Sequence, residues 1–322
     1  MKATKAIMAL MAVLLLATGC MRAGEPEQWT PTEDVPKIPR KLEKAESAGM
    51  PSLSVYDTDR ETASEMDIET YVEGVVAGEM KNDWPLEALK AQAILARTFT
   101  LRFCEDKSSK YKGADISTDV TEAQAYDAKS VNDRVRQAVR ETRGMAMAYK
   151  GEYPYAWFHA HSGGMTELPT VSLDFSKEDP AYLKPVESQE SEDAPESVKA
   201  WTARFTKDQV AAACAEAGKK IKAVETVEIG EKGESGRAKT LRINGEDVSA
   251  ASFRIAIGAN KLKSTLIDAI DVAGNGVTFT GRGFGHGVGM SQWGAYAMAE
   301  QGKSAEDIIR HYFQDVSIVR LW

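Results

Sequence analysis

The order of helical and strand-like patterns along the chain is the feature that most limits its fold. Amphipathic helical patterns cover residues 66–80 and 85–103, and a third, with valines spaced by four and a terminal glycine, covers 130–144. Residues 145–164 read as strands around a Lys-Gly turn, and residues 224–250 contain strands around an Asn-Gly turn. No internal repeat interrupts this order. The patterns therefore predict a mixed α+β fold with antiparallel or mixed sheets.

The N-terminal residues predict export. Lys2 and Lys5 precede an apolar run at residues 7–17 that is too short to span a bilayer, and "ATGC" follows, ending at Cys20. This pattern resembles a bacterial lipoprotein signal, in which the cysteine is diacylated and becomes the new N-terminus. An ordinary secretory signal with an incidental cysteine is the alternative. We predict a signal peptide at 1–20 and a protein held on a membrane of the cell envelope by lipid.

The mature chain divides into a tether and a folded region. Residues 21–52 are charged and contain prolines without a steady period, which is typical of a flexible tether. We predict one folded unit at 53–322, built as two lobes that flank a substrate groove, with the second lobe at roughly 165–260. Residues 187–197 are acidic and are expected to form a surface loop within that second lobe.

Charge and cysteine content exclude several classes of function. The 322-residue chain has a net charge of −8 and dispersed basic residues, so it shows no nucleic-acid-binding footprint. Beyond Cys20, Cys104 and Cys214 remain, and either a disulfide or two buried thiols is compatible with the sequence. Neither cysteine belongs to a C-x-x-C pair, so structural zinc on thiolates is not expected.

Five glycines alternate with larger residues at 281–289, directly before a helical pattern. The spacing matches neither a dinucleotide-binding G-x-G-x-x-G nor a phosphate-binding G-x-x-x-x-G-K-[ST] loop. Two explanations remain open. The glycines allow either a close approach between protein segments or an exposed backbone that meets a ligand.

A glutamate occupies an apolar position of the first predicted helix. Val72, Val75, Val76 and Met80 form the i, i+3, i+4, i+8 stripe, and the i+7 position belongs to Glu79. Burial and the helix C-terminus would both raise the pKa of this carboxyl, as a general acid requires. The alternative is a glutamate that turns to water, or one that a nearby cation neutralises.

The second helix and a histidine pair supply further candidates. Lys90 and Arg97 lie seven residues apart, on a common helix face, where they could bind an anionic or hydroxyl-rich ligand, pair with Glu79, or simply be solvated. His159 and His161 share one side of a strand as zinc ligands would, but no third ligand is evident. Ser162 adjoins His161 without a nucleophile elbow, so a Ser–His hydrolase is not supported.

Several blocks together resemble a known family. They are "GVVAGEM…WPLEALKAQAILARTFTL", "TEAQAYD", "AVRETRGMAMAYKGE", "FHAHSGGMTE", "YLKPVES", "IAIGANKLKST" and "GRGFGHGVGMSQWGAYAMAEQGKSAEDIIRHYF". Between about residues 65 and 319 these blocks look like the stage II sporulation protein D family, related members of which are known as amidase enhancers. The resemblance implies a lytic transglycosylase that acts on peptidoglycan glycan strands, with Glu79 as its single catalytic acid. The alternative is a non-catalytic glycan-binding module that stimulates a cell-wall amidase.

The resemblance also suggests which residues meet the glycan. The glycines of 281–289 would place bare backbone against the sugar chain, and Tyr126, Trp84 or Trp293 could stack on a pyranose ring or belong to the core. No cofactor is expected, and zinc at His159 and His161 is not expected either, because family members that carry a metal use cysteines that are absent here. The candidate substrate-binding residues are Lys90, Arg97, Tyr126, Ser162, Lys263, His286 and Gln292.

Overall fold

A computed structural model describes residues 35–42 and 49–322 of the chain. In this part of the chain, α-helices and short strands alternate, which confirms the mixed α+β class. The predicted signal peptide at 1–20, its Cys20 and much of the predicted tether lie outside the described residues. Within the described ranges, no helix combines the length and the hydrophobicity needed to cross a membrane.

The helices and strands are numbered in chain order. Helices α1 to α9 span Ile68–Glu79, Leu86–Asp106, Asp133–Glu141, Pro169–Ser172, Glu196–Lys199, Lys207–Glu216, Ala250–Ile257, Gln292–Glu300 and Ala305–Tyr312. Strands β1 to β13 span Ser52–Asp57, Thr62–Asp67, Ile116–Ser117, Met145–Ala148, Phe158–His159, Trp201–Thr206, Val227–Ile229, Thr240–Ile243, Glu246–Ser249, Ile267–Ala273, Gly276–Gly281, Met290–Ser291 and Ser317–Arg320.

The three predicted N-terminal helices are confirmed, with ends that differ by a few residues. Asp67 begins α1 by accepting a hydrogen bond from the Thr70 amide at 2.8 Å. Pro85 directly precedes α2, where its missing N–H costs no helical hydrogen bond. The Asn132 side chain caps α3. Local sequence signals therefore set where these helices start.

The strands pair into small sheets of mixed direction. β1 lies between antiparallel β2 and parallel β3, while β11 lies between β10 and β6 in an antiparallel sheet. β8 pairs with both β7 and β9, and the predicted Asn-Gly turn joins β8 to β9, with φ of 50° at Asn244 and 85° at Gly245. β12 runs parallel to β5, which brings the end of the glycine-rich segment beside the histidine pair.

The buried apolar side chains form two clusters. The first surrounds α2 and includes side chains from α1, α3, α8 and α9. The second is built from residues between 201 and 279, mainly β6, α6, α7 and the sheets beside them. The arrangement of two lobes around a groove stays a prediction.

Two further features concern the predicted tether and the cysteines. Leu42 is fully buried, and the Lys37 carbonyl accepts a hydrogen bond from the Tyr153 hydroxyl at 3.2 Å, so residues 35–42 pack onto the folded chain. Cys104 and Cys214 are both buried free thiols rather than a disulfide. Burial raises the pKa of Cys104 to about 12 and that of Cys214 to about 11, which keeps both thiols protonated.

Candidate active site

Glu79 is the last residue of α1 and lies against the segment that contains Tyr126. The Ala125 amide donates a hydrogen bond of 2.7 Å to Glu79 Oε1. This contact depends on two glycines of α1, because a Cβ at Gly78 would lie 2.7 Å from the Ala125 carbonyl carbon, and one at Gly74 would lie 2.2 Å from the Tyr126 ring. The small face of the helix therefore brings a backbone donor onto the carboxylate.

Burial governs the protonation of Glu79. It raises the pKa of Glu79 from 4.5 to about 6, because the charged form loses hydration. Hydrogen bonds from the Ala125 amide and the Gln292 side chain oppose this shift without cancelling it. Glu79 is half-buried, and the upward direction of its pKa shift is the one that the sequence pattern predicted. Neither of the two cations considered as neutralising partners, Lys90 and Arg97, forms an ion pair with it.

Gln292 connects Glu79 to the C-terminal part of the chain. Its Nε2 donates to the Glu79 backbone carbonyl at 3.2 Å and to Gln92 Oε1 at 3.4 Å. Gln292 begins α8 directly after the glycine-rich segment and β12. Gln292 therefore brings the start of α8 against the last residue of α1.

Two family models match successive parts of this chain. A family model described as "Stage II sporulation protein" matches residues 56–149, and a second, described as a domain of unknown function, matches residues 162–289. Stage II sporulation protein D of Bacillus amyloliquefaciens is 33% identical over 280 residues, which cover 83% of this chain and 78% of the relative. The chain belongs to the stage II sporulation protein D family.

Two further proteins are similar to this chain. An uncharacterized protein of Brachyspira hyodysenteriae is 33% identical over 265 residues, which cover 82% of this chain and 70% of the relative. The amidase enhancer of Bacillus subtilis is 27% identical over 295 residues, which cover 77% of this chain but only 40% of that protein. The family predicted from the sequence blocks is confirmed.

Tyr126 lies close to Glu79 through its neighbour Ala125. Its ring stacks on Tyr71 with centroids 5.5 Å apart, and it is only half buried. Tyr126 and Ala125 line a cleft of about 840 Å³ that extends to Asp57 and Tyr111. Glu79 itself does not line this cleft and contacts its wall only through the Ala125 amide.

Arg97 and Lys90 do not lie free on a ligand-facing surface. Arg97 is fully buried and forms a two-pronged ion pair with Glu69, at 3.1 Å from Nε and 2.5 Å from Nη2. Lys90 pairs with Glu87 at 2.7 Å and Glu141 at 2.5 Å. The predicted substrate contact of Arg97 is wrong, because its guanidinium is fully buried and paired with Glu69. The ion pairs of Lys90 give no support to the substrate contact predicted for it.

The glycine-rich segment packs on the protein itself. A Cβ at Gly287 would lie 2.2 Å from Arg237 Nε, and one at Gly289 would lie 2.1 Å from the Trp157 carbonyl oxygen, while both residues have positive φ. The prediction that these glycines expose backbone to a sugar is therefore wrong, and the close-packing alternative holds.

His286 and Lys263 contact this segment rather than Glu79. His286 accepts from the Val288 amide at 3.0 Å and donates to the Phe158 carbonyl, so both ring nitrogens are engaged. Lys263 Nζ donates to the Ser197 carbonyl at 2.6 Å and lies 5.8 Å from the Phe284 ring centre. Neither side chain contacts Glu79 within the described residues, and their predicted contact with substrate stays a prediction.

Ser162 belongs to a buried cluster around Glu190, which the sequence did not single out. The Glu190 carboxylate accepts from the Ser162 amide at 2.9 Å, from the Ser162 hydroxyl, and from the Ser291 hydroxyl at 2.8 and 2.9 Å. The expectation of a purely solvated acidic loop at 187–197 is therefore wrong at this residue. Glu190 ties that segment to Ser291, the neighbour of Gln292. In the sequence, nothing distinguishes Glu190 from the other glutamates of residues 187–197.

The histidine pair is engaged with the protein. His159 donates from Nδ1 to the Val288 carbonyl at 3.1 Å, and the Gly163 amide donates to His161 Nδ1 at 3.0 Å. Burial lowers the pKa of both imidazoles. Within the described residues, no group of three or more histidine, cysteine, aspartate or glutamate side chains is arranged to hold a metal. The expectation that this pair holds no zinc stays a prediction.

Proposed function

We propose that this protein is a lytic transglycosylase that cleaves the bond between N-acetylmuramic acid and N-acetylglucosamine in peptidoglycan glycan strands. The observation that carries the proposal is Glu79, a carboxyl whose pKa burial raises to about 6 at the point where α1 meets Gln292. With that pKa, about a tenth of the molecules hold the proton at pH 7. Membership of the stage II sporulation protein D family supports the same assignment.

The chemistry needs one carboxyl group. Protonated Glu79 donates its proton to the glycosidic oxygen, and the bond from that oxygen to C1 of the muramic residue breaks. The Glu79 carboxylate then accepts the proton of the C6 hydroxyl, whose oxygen closes onto C1 and leaves a 1,6-anhydro end. Glu79 regains its proton, and no water is consumed. A hydrolase would instead need a second carboxyl group to activate water or attack C1.

Two features of the site favour intramolecular attack. A nucleophile within the same sugar avoids the entropy cost of capturing a water, and effective molarities in well-oriented cases reach on the order of 10⁵ M. The Ala125 amide and the Gln292 side chain hold the Glu79 carboxylate and its backbone in place. Positioned donors of this kind fix the direction from which the proton is delivered.

The test is digestion of purified glycan strands, with and without stem peptides, by the mature protein. We expect 1,6-anhydro-muramyl ends by mass spectrometry, with the stripped strands as the better substrate. Glu79→Gln should abolish them, and Glu73→Gln, a change in the same helix away from Gln292, should not. Products with free reducing ends would refute the transglycosylase mechanism.

A second candidate function is stimulation of a cell-wall amidase without cleavage. The relative named amidase enhancer favours it, although this chain spans less than half of that protein. Amidase release of stem peptides would be measured with wild type and with Glu79→Gln. Stimulation that survives the substitution, with no shortening of strands by wild type, would establish this alternative.

We further propose that the protein works in the cell envelope, anchored by lipid at Cys20. The apolar run before "ATGC" supports this placement. Labelling of cells with an alkyne-bearing fatty acid should tag the wild-type protein and leave Cys20→Ala untagged. Equal labelling of both would refute lipid attachment at this residue.

A further inference from the structure

A second cavity lies away from Glu79, between α4, α7 and the glycine-rich segment. Its volume is about 390 Å³, and Arg254, His286 and Ser172 are among the residues that line it. Neither Ala125 nor Gln292, which hold Glu79, lines this cavity. The cavity is therefore separate from the candidate active site.

Arg254 brings a buried positive charge to the cavity. The residue is 8% exposed, and it donates from Nε to the Lys263 carbonyl at 3.0 Å and from Nη2 to the Ala259 carbonyl at 3.3 Å. Within the described chain no carboxylate forms an ion pair with it, and no hydrogen bond engages Nη1. Burial lowers its pKa to about 10, so the guanidinium keeps its charge at neutral pH. A buried cation without a counter-ion is costly, and a bound anion would offset that cost.

Two uncharged groups accompany this guanidinium. Ser172 is 4% exposed, and its hydroxyl has no hydrogen-bond partner within the described chain. Burial lowers the pKa of His286 to about 3, so this imidazole is neutral and adds no charge. Arg254 and Ser172 together offer unused donors, which are the groups that a carboxylate accepts from.

The outer part of the cavity carries the opposite charge. Asp174 and Glu216, both exposed, line it together with Ser252. Asp174 accepts hydrogen bonds from the hydroxyls of Ser249, at 2.5 and 2.6 Å, and Ser252, so its position is fixed by α7 and the residue before it. A simple anion would be repelled at these carboxylates, and a simple cation would be repelled by Arg254. A ligand with both charges satisfies both ends.

We propose that this cavity binds a small zwitterion, an amino acid or short peptide with free ends, whose carboxylate meets Arg254 and Ser172 and whose ammonium group faces Asp174 and Glu216. The site is distinct from the glycan-cleaving site proposed at Glu79. It supplies a second recognition function in the part of the chain that matches the domain of unknown function.

Calorimetric titration of the mature protein with alanylalanine tests the proposal. We expect saturable binding of the dipeptide, and at least tenfold weaker binding of alanylalanine amide, which lacks the carboxylate, and of N-acetylalanylalanine, which lacks the ammonium group. Amide binding equal to that of the dipeptide, or no saturable binding of the dipeptide, would overturn the proposal. The titration requires no glycan cleavage, so its outcome is independent of the activity at Glu79.

Substitutions at Ser172 and Arg254 test where in the cavity the ligand binds. Ser172→Ala removes a hydroxyl that forms no hydrogen bond within residues 35–42 and 49–322, so it should leave the melting temperature unchanged and weaken binding about two- to tenfold. Arg254→Met should weaken binding about ten- to a hundredfold, and Arg204→Met, at an exposed arginine of β6, should not. Arg254→Met also removes two hydrogen bonds to backbone carbonyls. If the Arg254→Met protein does not fold, the binding measured with Ser172→Ala decides the test. Wild-type affinity in the Ser172→Ala variant would refute the assigned position.

Discussion

The substitution Glu79→Gln is expected to stabilise the protein while it removes the proposed activity. Burial raises the pKa of Glu79 from 4.5 to about 6, which means that the folded chain holds this proton about thirtyfold more tightly than an exposed glutamate does. Each tenfold corresponds to about 1.4 kcal/mol, so the ionised carboxylate costs the folded state about 2 kcal/mol. Glutamine does not ionise, and its Oε1 can still accept from the Ala125 amide.

The sign of the effect follows from where the proton is held. The stability that protonated Glu79 contributes is fully present below pH 4.5 and is lost as the pH rises through 6. Wild type and Glu79→Gln should therefore have similar free energies of unfolding at pH 4. By pH 8 the variant should be more stable by about 2 kcal/mol, because it never forms the buried charge.

Urea denaturation followed by tryptophan fluorescence between pH 4 and 8 measures this difference. Glu234→Gln, at an exposed glutamate, is the control and should differ from wild type by the same small amount at every pH. A stability difference between Glu79→Gln and wild type that does not change with pH would refute the reasoning. So would a variant that is less stable than wild type at pH 8.

Three other substitutions test the contact of Gln292 with Glu79, the Arg97–Glu69 ion pair and the cluster around Glu190. Gln292→Ala removes a donor that lowers the pKa of Glu79, so that pKa should rise above 6, as measured by carbon-detected NMR of the glutamate carboxyl; an unchanged value would contradict the contact. Arg97→Met leaves a buried carboxylate without its partner and should cost about 3–5 kcal/mol in urea denaturation, whereas a loss below about 1 kcal/mol would place the pair at the surface. Glu190→Ala strands buried hydroxyls and should cost about 1–3 kcal/mol, while exposed Glu192→Ala should cost almost nothing; equal melting temperatures for the two would contradict the burial.

The position of Glu79 could be predicted from the sequence because the signal is local. The apolar stripe of α1 leaves one place vacant at helical spacing, and a helix of 12 residues keeps that spacing to its end. The same pattern states on which side of the helix the carboxyl lies. It does not identify the donors at that side, since Ala125 and Gln292 come from segments 46 and 213 residues away.

The environment of Arg97 could not be predicted from its own helix. Its spacing from Lys90 suggested one shared basic face, but α2 lies inside the first cluster and is surrounded by other helices. A helix in that position buries nearly every side, and a charge on it needs a partner from another element. Glu69 in α1 provides that partner, and its distance in sequence, 28 residues, gives no periodic signal. Glu190 could not be predicted for the same reason, because Ser162 and Ser291 lie 28 and 101 residues from it in the sequence.

The glycine-rich segment acts on the candidate active site through packing. Gly289 directly precedes β12, and a side chain there would collide with the Trp157 carbonyl, which accepts a hydrogen bond from the Met290 amide at 3.1 Å. Without that close approach β12 could not pair with β5, and Gln292, which directly follows β12, would have no fixed position against Glu79. Gly289 therefore helps to place Gln292, while other glycines of the segment pack against other parts of the protein. A glycine pattern can thus shape a site through the close packing of its backbone, without any glycine of the pattern contacting Glu79.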